Sequence, residues 1–191
     1  MHLIFDFDGT ITVQDTIGEL AASAVAWQQQ RLGCNLQGAW DEAVRAYGSD
    51  LAAAAEKTHG SERRTVEDEI RFLAETRAVE EASLERVERT GIFAGLGLRD
   101  LFQMGASAVR EGRVKIRAGF GALTELAARR GWRTSVLSAH WSRAFVEGAL
   151  SAAPTTVYFG DSMTDFECLI KEAGGADYGV VMVRDDDSSV L

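Results

Sequence analysis

Hydrophobic and polar positions change their period twice along the chain. HLIFDF (2–7) is an apolar run ending in acids, which predicts a short buried strand, and DGT follows as a turn. From Thr16 the spacing becomes helical, with apolar positions at Ile17, Leu20, Ala21, Ala24 and Trp27. Residues 39–58 and 61–89 repeat that pattern, the second with many charges. Within it, Thr65 to Asp68 resembles a capping box with Asp in place of Glu. GIFAGLG (91–97) breaks the pattern, and LRDLFQMGASAVREG (98–112) predicts one more helix, ending at Gly112.

Beyond Gly112 short apolar runs alternate with amphipathic ones. Strands are predicted at 132–138, 155–160 and 178–183, with helices at 120–131, 142–150 and 163–175 and a polar tail after them. Such alternation predicts an α/β fold, a parallel sheet with crossover helices. The first strand must join that sheet across the helical block. The expected organisation is therefore a core of 1–13 and 113–191 with an inserted helical module at 14–112.

Composition narrows the setting. The chain is 46% hydrophobic, as globular proteins are, yet no apolar stretch is long enough to span a bilayer. A net charge of −9 argues against nucleic acid or an anionic membrane as the main partner. Cys34 and Cys168 form no metal-type pair and read as reduced, buried thiols. Asp6 and Asp8 interrupt the N-terminal apolar run, so no signal peptide is expected and the setting reads as cytoplasmic.

Candidate chemistry sits where the strands end. In parallel α/β sheets, ligands bind beyond the carboxyl ends of the strands. Asp6 and Asp8 follow the first strand, Ser138 the second, and Asp161 and Asp165 the third. Four converging carboxylates repel one another unless protons or a cation neutralise them, and oxygen donors of this kind suit Mg²⁺. The alternative is that these acids form turns and helix caps, for which DG and GDS are ordinary sequences.

DFDGT (6–10), the serine of VLSAHWS and GDSMTD (160–165) resemble motifs I, II and IV of the haloacid dehalogenase superfamily. The chain is most similar to its phosphoserine-phosphatase-like branch, which carries a helical cap after motif I and includes small-metabolite phosphatases. The resemblance implies a Rossmann-like core with an α-helical cap. It implies that Asp6 attacks phosphorus, while Asp8 protonates the leaving oxygen and then activates water. Mg²⁺ would be held by Asp6, the Asp8 carbonyl and Asp161, with Asp165 ligating or orienting. Thr10 and Ser138 would bind phosphoryl oxygens. Asp8 also separates this chain from the family's dehalogenases, which usually lack the second acid.

One element of that resemblance is missing. The family carries a lysine or arginine between motifs II and IV, but in 139–160 the only basic residues are His140 and Arg143. The interval is too short for the usual extra strand and helix, so a sheet lacking one edge strand is expected. Arg143, at the start of the helix after motif II, is the candidate replacement cation. His140 and Trp141 lie beside Ser138, where substrate would pass. Lys115 and Arg117 read as hinge residues, with Arg117 within possible reach of substrate. Asp15 stands where relatives place a substrate-contacting acid, and equally where an N-cap would stand.

The expected activity is Mg²⁺-dependent hydrolysis of a small phosphorylated metabolite. The rival is a catalytically impaired protein that binds Mg²⁺ or phosphate without efficient turnover. A phosphate-accepting receiver domain is disfavoured by the large insertion after the first strand.

Overall fold

The computed structural model describes residues 1–58, 64–152, 157–160 and 178–181. Its elements are β1 (His2–Phe5), α1 (Ile17–Leu32), α2 (Gln37–Thr58), α3 (Val66–Thr90), α4 (Leu98–Arg110), α5 (Phe120–Arg129), β2 (Arg133–Val136), α6 (Arg143–Ser151), β3 (Val157–Gly160) and β4 (Tyr178–Val181). The expected helix 163–175 and the tail lie outside the described residues. Among the described residues, no helix is long and apolar enough to cross a membrane.

The Rossmann-like α/β expectation is corrected. Most of the described residues are helical, and among them no sheet has more than two strands. β1 pairs in parallel with β2, His2 opposite Arg133 through Phe5 opposite Val136. β3 pairs in parallel with β4, Val157 opposite Tyr178 through Gly160 opposite Val181. Each strand is four residues long, and among the described residues no ladder joins the two pairs. Apolar β-branched runs mark where a strand forms, but they do not say which neighbour it bonds. The expectation of one continuous sheet short of an edge strand came from that gap.

Chain contacts divide the molecule into two units, Met1–Leu20 with Leu96–Leu191, and Ala21–Gly95. In the second unit, α2 and α3 run against each other, with Arg86 Nη2 2.6 Å from Asp50 Oδ2 and the Tyr47 hydroxyl donating to Glu80 at 2.7 Å. Buried Gln28 gathers the turn after α3, its Nε2 donating to the carbonyls of Ile92 (3.0 Å) and Ala94 (2.8 Å). Helix α3 begins with the capping box read from sequence: Thr65 Oγ1 accepts from Asp68 N–H, and Asp68 Oδ2 accepts from Thr65 N–H. Those hydrogen bonds, that of the Thr65 side chain first, hold the Asp68 carboxyl below its usual range.

In the first unit, α4 and α6 cross at two glycines. A Cβ built on Gly105 would run into the carbonyl of Phe145, and one built on Gly148 into the carbonyl of Phe102. The helices therefore touch backbone to backbone. Helix α6 turns Val146, Ala149 and Leu150 into a core with Phe7, Ile11 and Val136, and Phe5 and Phe120 meet edge to face beside it at 5.4 Å.

Gly105→Ala and Gly148→Ala should each destabilise the protein, by about 1–3 kcal/mol or more from overpacking. Gly48→Ala, in the open middle of α2 with nothing within 4 Å of an added Cβ, should instead stabilise it by roughly 0.5–1 kcal/mol. Urea melts of the three variants check this, because the sign of the change separates a crossing contact from plain helix propensity.

Candidate active-site loop

Phe5 ends β1, and the chain then makes a wide helical turn, closed by Thr12 N–H donating to the Phe7 carbonyl at 3.0 Å. Gly9 sits in that turn at φ 71°, in the left-handed region. Nothing lies within 4 Å of an added Cβ there, so the requirement for glycine is conformational rather than spatial. Phe7 and Ile11 point into the core, which leaves Asp6, Gly9 and Thr10 on the outside. Thr12 is fully buried; its hydroxyl accepts from Gly9 N–H at 3.2 Å and donates to the Gln14 carbonyl at 2.7 Å.

The parallel register sets the second loop beside the first. Leu137 N–H donates to the Phe5 carbonyl at 2.8 Å, so Ser138 leaves β2 at the end where Asp6 leaves β1. Asp6 is exposed, and its Oδ2 accepts from the Thr10 hydroxyl at 3.2 Å. Among the described residues, no basic side chain is recorded bonding to Asp6. Asp8 is half-buried and held at one oxygen only: Oδ1 accepts from the Thr16 N–H (2.8 Å) and hydroxyl (2.7 Å).

The other expected residues take different places. Ser138 Oγ accepts from His140 N–H at 3.1 Å, so it folds back on its own loop. Asp15 is exposed and accepts from Ile17 N–H at 2.9 Å, a turn at the start of α1 that matches the capping alternative. Arg143 Nε donates to Glu147 Oε1 at 2.7 Å, one turn along its own helix. Asp161 and Asp165 lie outside the described residues. No group of three or more His, Cys, Asp or Glu placed to hold a metal occurs among the described residues.

His140 lies inside rather than along an open path, with its side chain stacked on Phe145 (5.2 Å, 13°) and edge-on to Phe7 (5.9 Å, 84°). Ser142 N–H donates to its Nδ1 at 3.1 Å, while the buried Nε2 has no hydrogen-bond partner among the described residues. Burial pushes its pKa below the ordinary value. The charge of Asp8, the Ser142 backbone and the charge of Asp15 pull the other way without cancelling that effect.

Three residues that shape the loop were not expected to do so. Thr16 and Thr12 precede or begin helical sequence and look like ordinary caps. Arg117 donates from Nη2 to the Gly9 carbonyl (2.7 Å) and from Nε to the Thr10 carbonyl (3.0 Å), with a longer contact to Thr12 (3.4 Å). Beside it the two chain passages are tied, Arg117 N–H to the Ile11 carbonyl and Val13 N–H to the Lys115 carbonyl. The "hinge" reading of Arg117 foreshadowed its position, but only coordinates reveal carbonyl partners more than a hundred residues away in sequence.

Comparison with protein-family models, curated proteins and solved structures gives no match to this chain.

The buried imidazole generates a pH prediction. Its folded-state pKa is lowered from 6.5, so the unfolded chain binds more protons below that pH. His140 therefore adds stability that is complete above about pH 6.5 and is lost as the pH falls toward the folded value. Melting temperatures should drop on acidification through this window, and less steeply in His140→Gln. An unchanged slope in the variant would assign the dependence to other groups.

Proposed function

We propose that the chain is a Mg²⁺-dependent phosphatase-type hydrolase of small phosphomonoesters, related in its motifs to the phosphoserine-phosphatase-like branch of the haloacid dehalogenase superfamily. The observation that carries this reading is the β1–β2 register, which brings exposed Asp6 and the Ser138 loop to one strand end.

The two aspartates suit different duties. Asp6 is open to solvent and fits a nucleophile: its carboxylate oxygen bonds to phosphorus as the ester P–O bond breaks. Asp8 is fixed through Oδ1, and its Oδ2 has no recorded partner among the described residues. A proton on Oδ2 can pass to the leaving alkoxide. Asp8 then takes a proton from water as that water attacks the aspartyl-phosphate, releasing inorganic phosphate and restoring both carboxyl groups. Thr10 and the Ser138 loop offer hydroxyl and backbone donors to the phosphoryl oxygens.

The donor chemistry fits Mg²⁺, because Asp6 presents an exposed carboxylate with no cation on it among the described residues, and the Asp8 carbonyl is a second hard oxygen. Asp161 and Asp165 would complete the set by resemblance. The ion would supply positive charge to balance carboxylates and phosphate. A cytoplasmic setting fits the exposed free thiol of Cys34.

A second reading is a protein that binds Mg²⁺ or phosphate with little turnover. It draws on the absence of a basic side chain bonded to Asp6 among the described residues, since phosphoryl transfer depends on charge stabilisation.

Release of nitrophenol from nitrophenyl phosphate with Mg²⁺ separates the two. Asp6→Asn should abolish turnover, and Asp8→Asn should lower kcat by about 100-fold or more. Equal rates for the wild type and Asp6→Asn would end the enzyme reading.

A further inference from the structure

The geometry assigns to Arg117 the positive charge of the phosphate-binding loop, in place of the basic residue that Arg143 was expected to supply. This rests on the phosphate-site reading of the Asp6 loop and adds the residue that balances its charge.

Three observations carry the assignment. First, the guanidinium is fixed on the loop itself. It bonds the carbonyls of Gly9 and Thr10, the two residues that follow Asp8. Second, it is exposed, so a solvent-borne anion can approach it. Nε and Nη2 account for its recorded bonds, and Nη1 has none among the described residues. Third, Arg143 Nε bonds Glu147 on its own helix α6, whereas Arg117 bonds the Asp6 loop directly.

The chemistry follows from the group. A guanidinium stays charged at every working pH and presents a rigid fork of donors suited to phosphate. Two sides of that fork here grip backbone carbonyls, and the third side is left for an anion. In a trans peptide the N–H points opposite to the C=O. Anchoring the Gly9 carbonyl on Arg117 therefore turns the Thr10 N–H away from the guanidinium, while the Thr10 side chain bonds Asp6. Arg117 thus both shapes the turn and lends it charge, which acidic surroundings with Asp6, Asp8 and Asp15 otherwise lack.

Two substitutions separate charge from shape. Arg117→Gln keeps an N–H donor for the carbonyls and removes the charge. Arg117→Lys keeps the charge and gives up the fork. Binding of inorganic phosphate to the full chain, with Mg²⁺ present, is measured by calorimetry, alongside KM and kcat for nitrophenyl phosphate. The expected result is phosphate affinity weakened at least tenfold in Arg117→Gln and kept within about threefold in Arg117→Lys, with KM moving in parallel. Wild-type affinity in a folded Arg117→Gln overturns the assignment, and so does an Arg117→Lys protein that binds as weakly as the glutamine variant. If Arg117→Gln does not fold, the lysine variant decides alone. A wild type that binds phosphate without hydrolysing it removes the enzyme reading and leaves Arg117 to be judged on affinity. A wild type that binds no phosphate overturns both.

Discussion

Two helices that meet without side chains between them set the positions of the rest of the first unit. Where α4 and α6 cross, Gly105 faces the backbone of α6 and Gly148 faces the backbone of α4. Interiors are close-packed and do not stretch to take one more carbon. The crossing therefore fixes how deeply α6 sits, and with it the depth of Val146, Ala149 and Leu150 under Phe7 and Ile11. The start of α6 is fixed by the same contact. Ser142 caps that helix by accepting from Phe145 N–H, and it also donates to the His140 ring. The loop after β2 is thus supported from below by a helix that cannot shift.

Above this support, the loop after β1 is shaped by polar bonds. Buried or half-buried backbone groups must find partners, and here they find threonine hydroxyls, one carboxylate and one guanidinium. Asp8 spends one oxygen on Thr16, and Thr12 closes the turn from inside. Asp6 has the same side chain as Asp8 but a different setting, exposed and, among the described residues, held by Thr10. Identical carboxylates two positions apart are thus made unlike by their neighbours, one exposed and one half-buried on Thr16.

Sequence reading succeeded where the physics is local. The helices appeared near their expected places because apolar spacing repeats every few residues, and the Thr65–Asp68 box formed because its partners are three positions apart. Strand positions were legible for the same reason. The sheet was not, because hydrogen-bond partners across a sheet leave no mark in either strand alone, and the result is two separate pairs. At the candidate site, the adjacency of Asp6 and Ser138 was legible from strand ends. The grip of Arg117 on Gly9 and Thr10 was not, since nothing near Arg117 names those carbonyls. Arg143 bonds Glu147, a partner four positions along its own helix, which is the kind of contact helical spacing does make legible.

The pairing of β1 with β2 also has a history in time. His2 and Ser135 bond across 133 positions of chain. The acidic loop leaves the ribosome well before the strand that pairs beside it. Helical contacts within residues 21–95 join segments closer in sequence and can form sooner, whereas β1 must wait for its neighbour. During that interval Leu3, Phe5 and Phe7 have no sheet or core to enter. Asp6 and Asp8 are thus made well before the strand that positions their loop, and a nascent chain halted before Arg133 carries both aspartates without it.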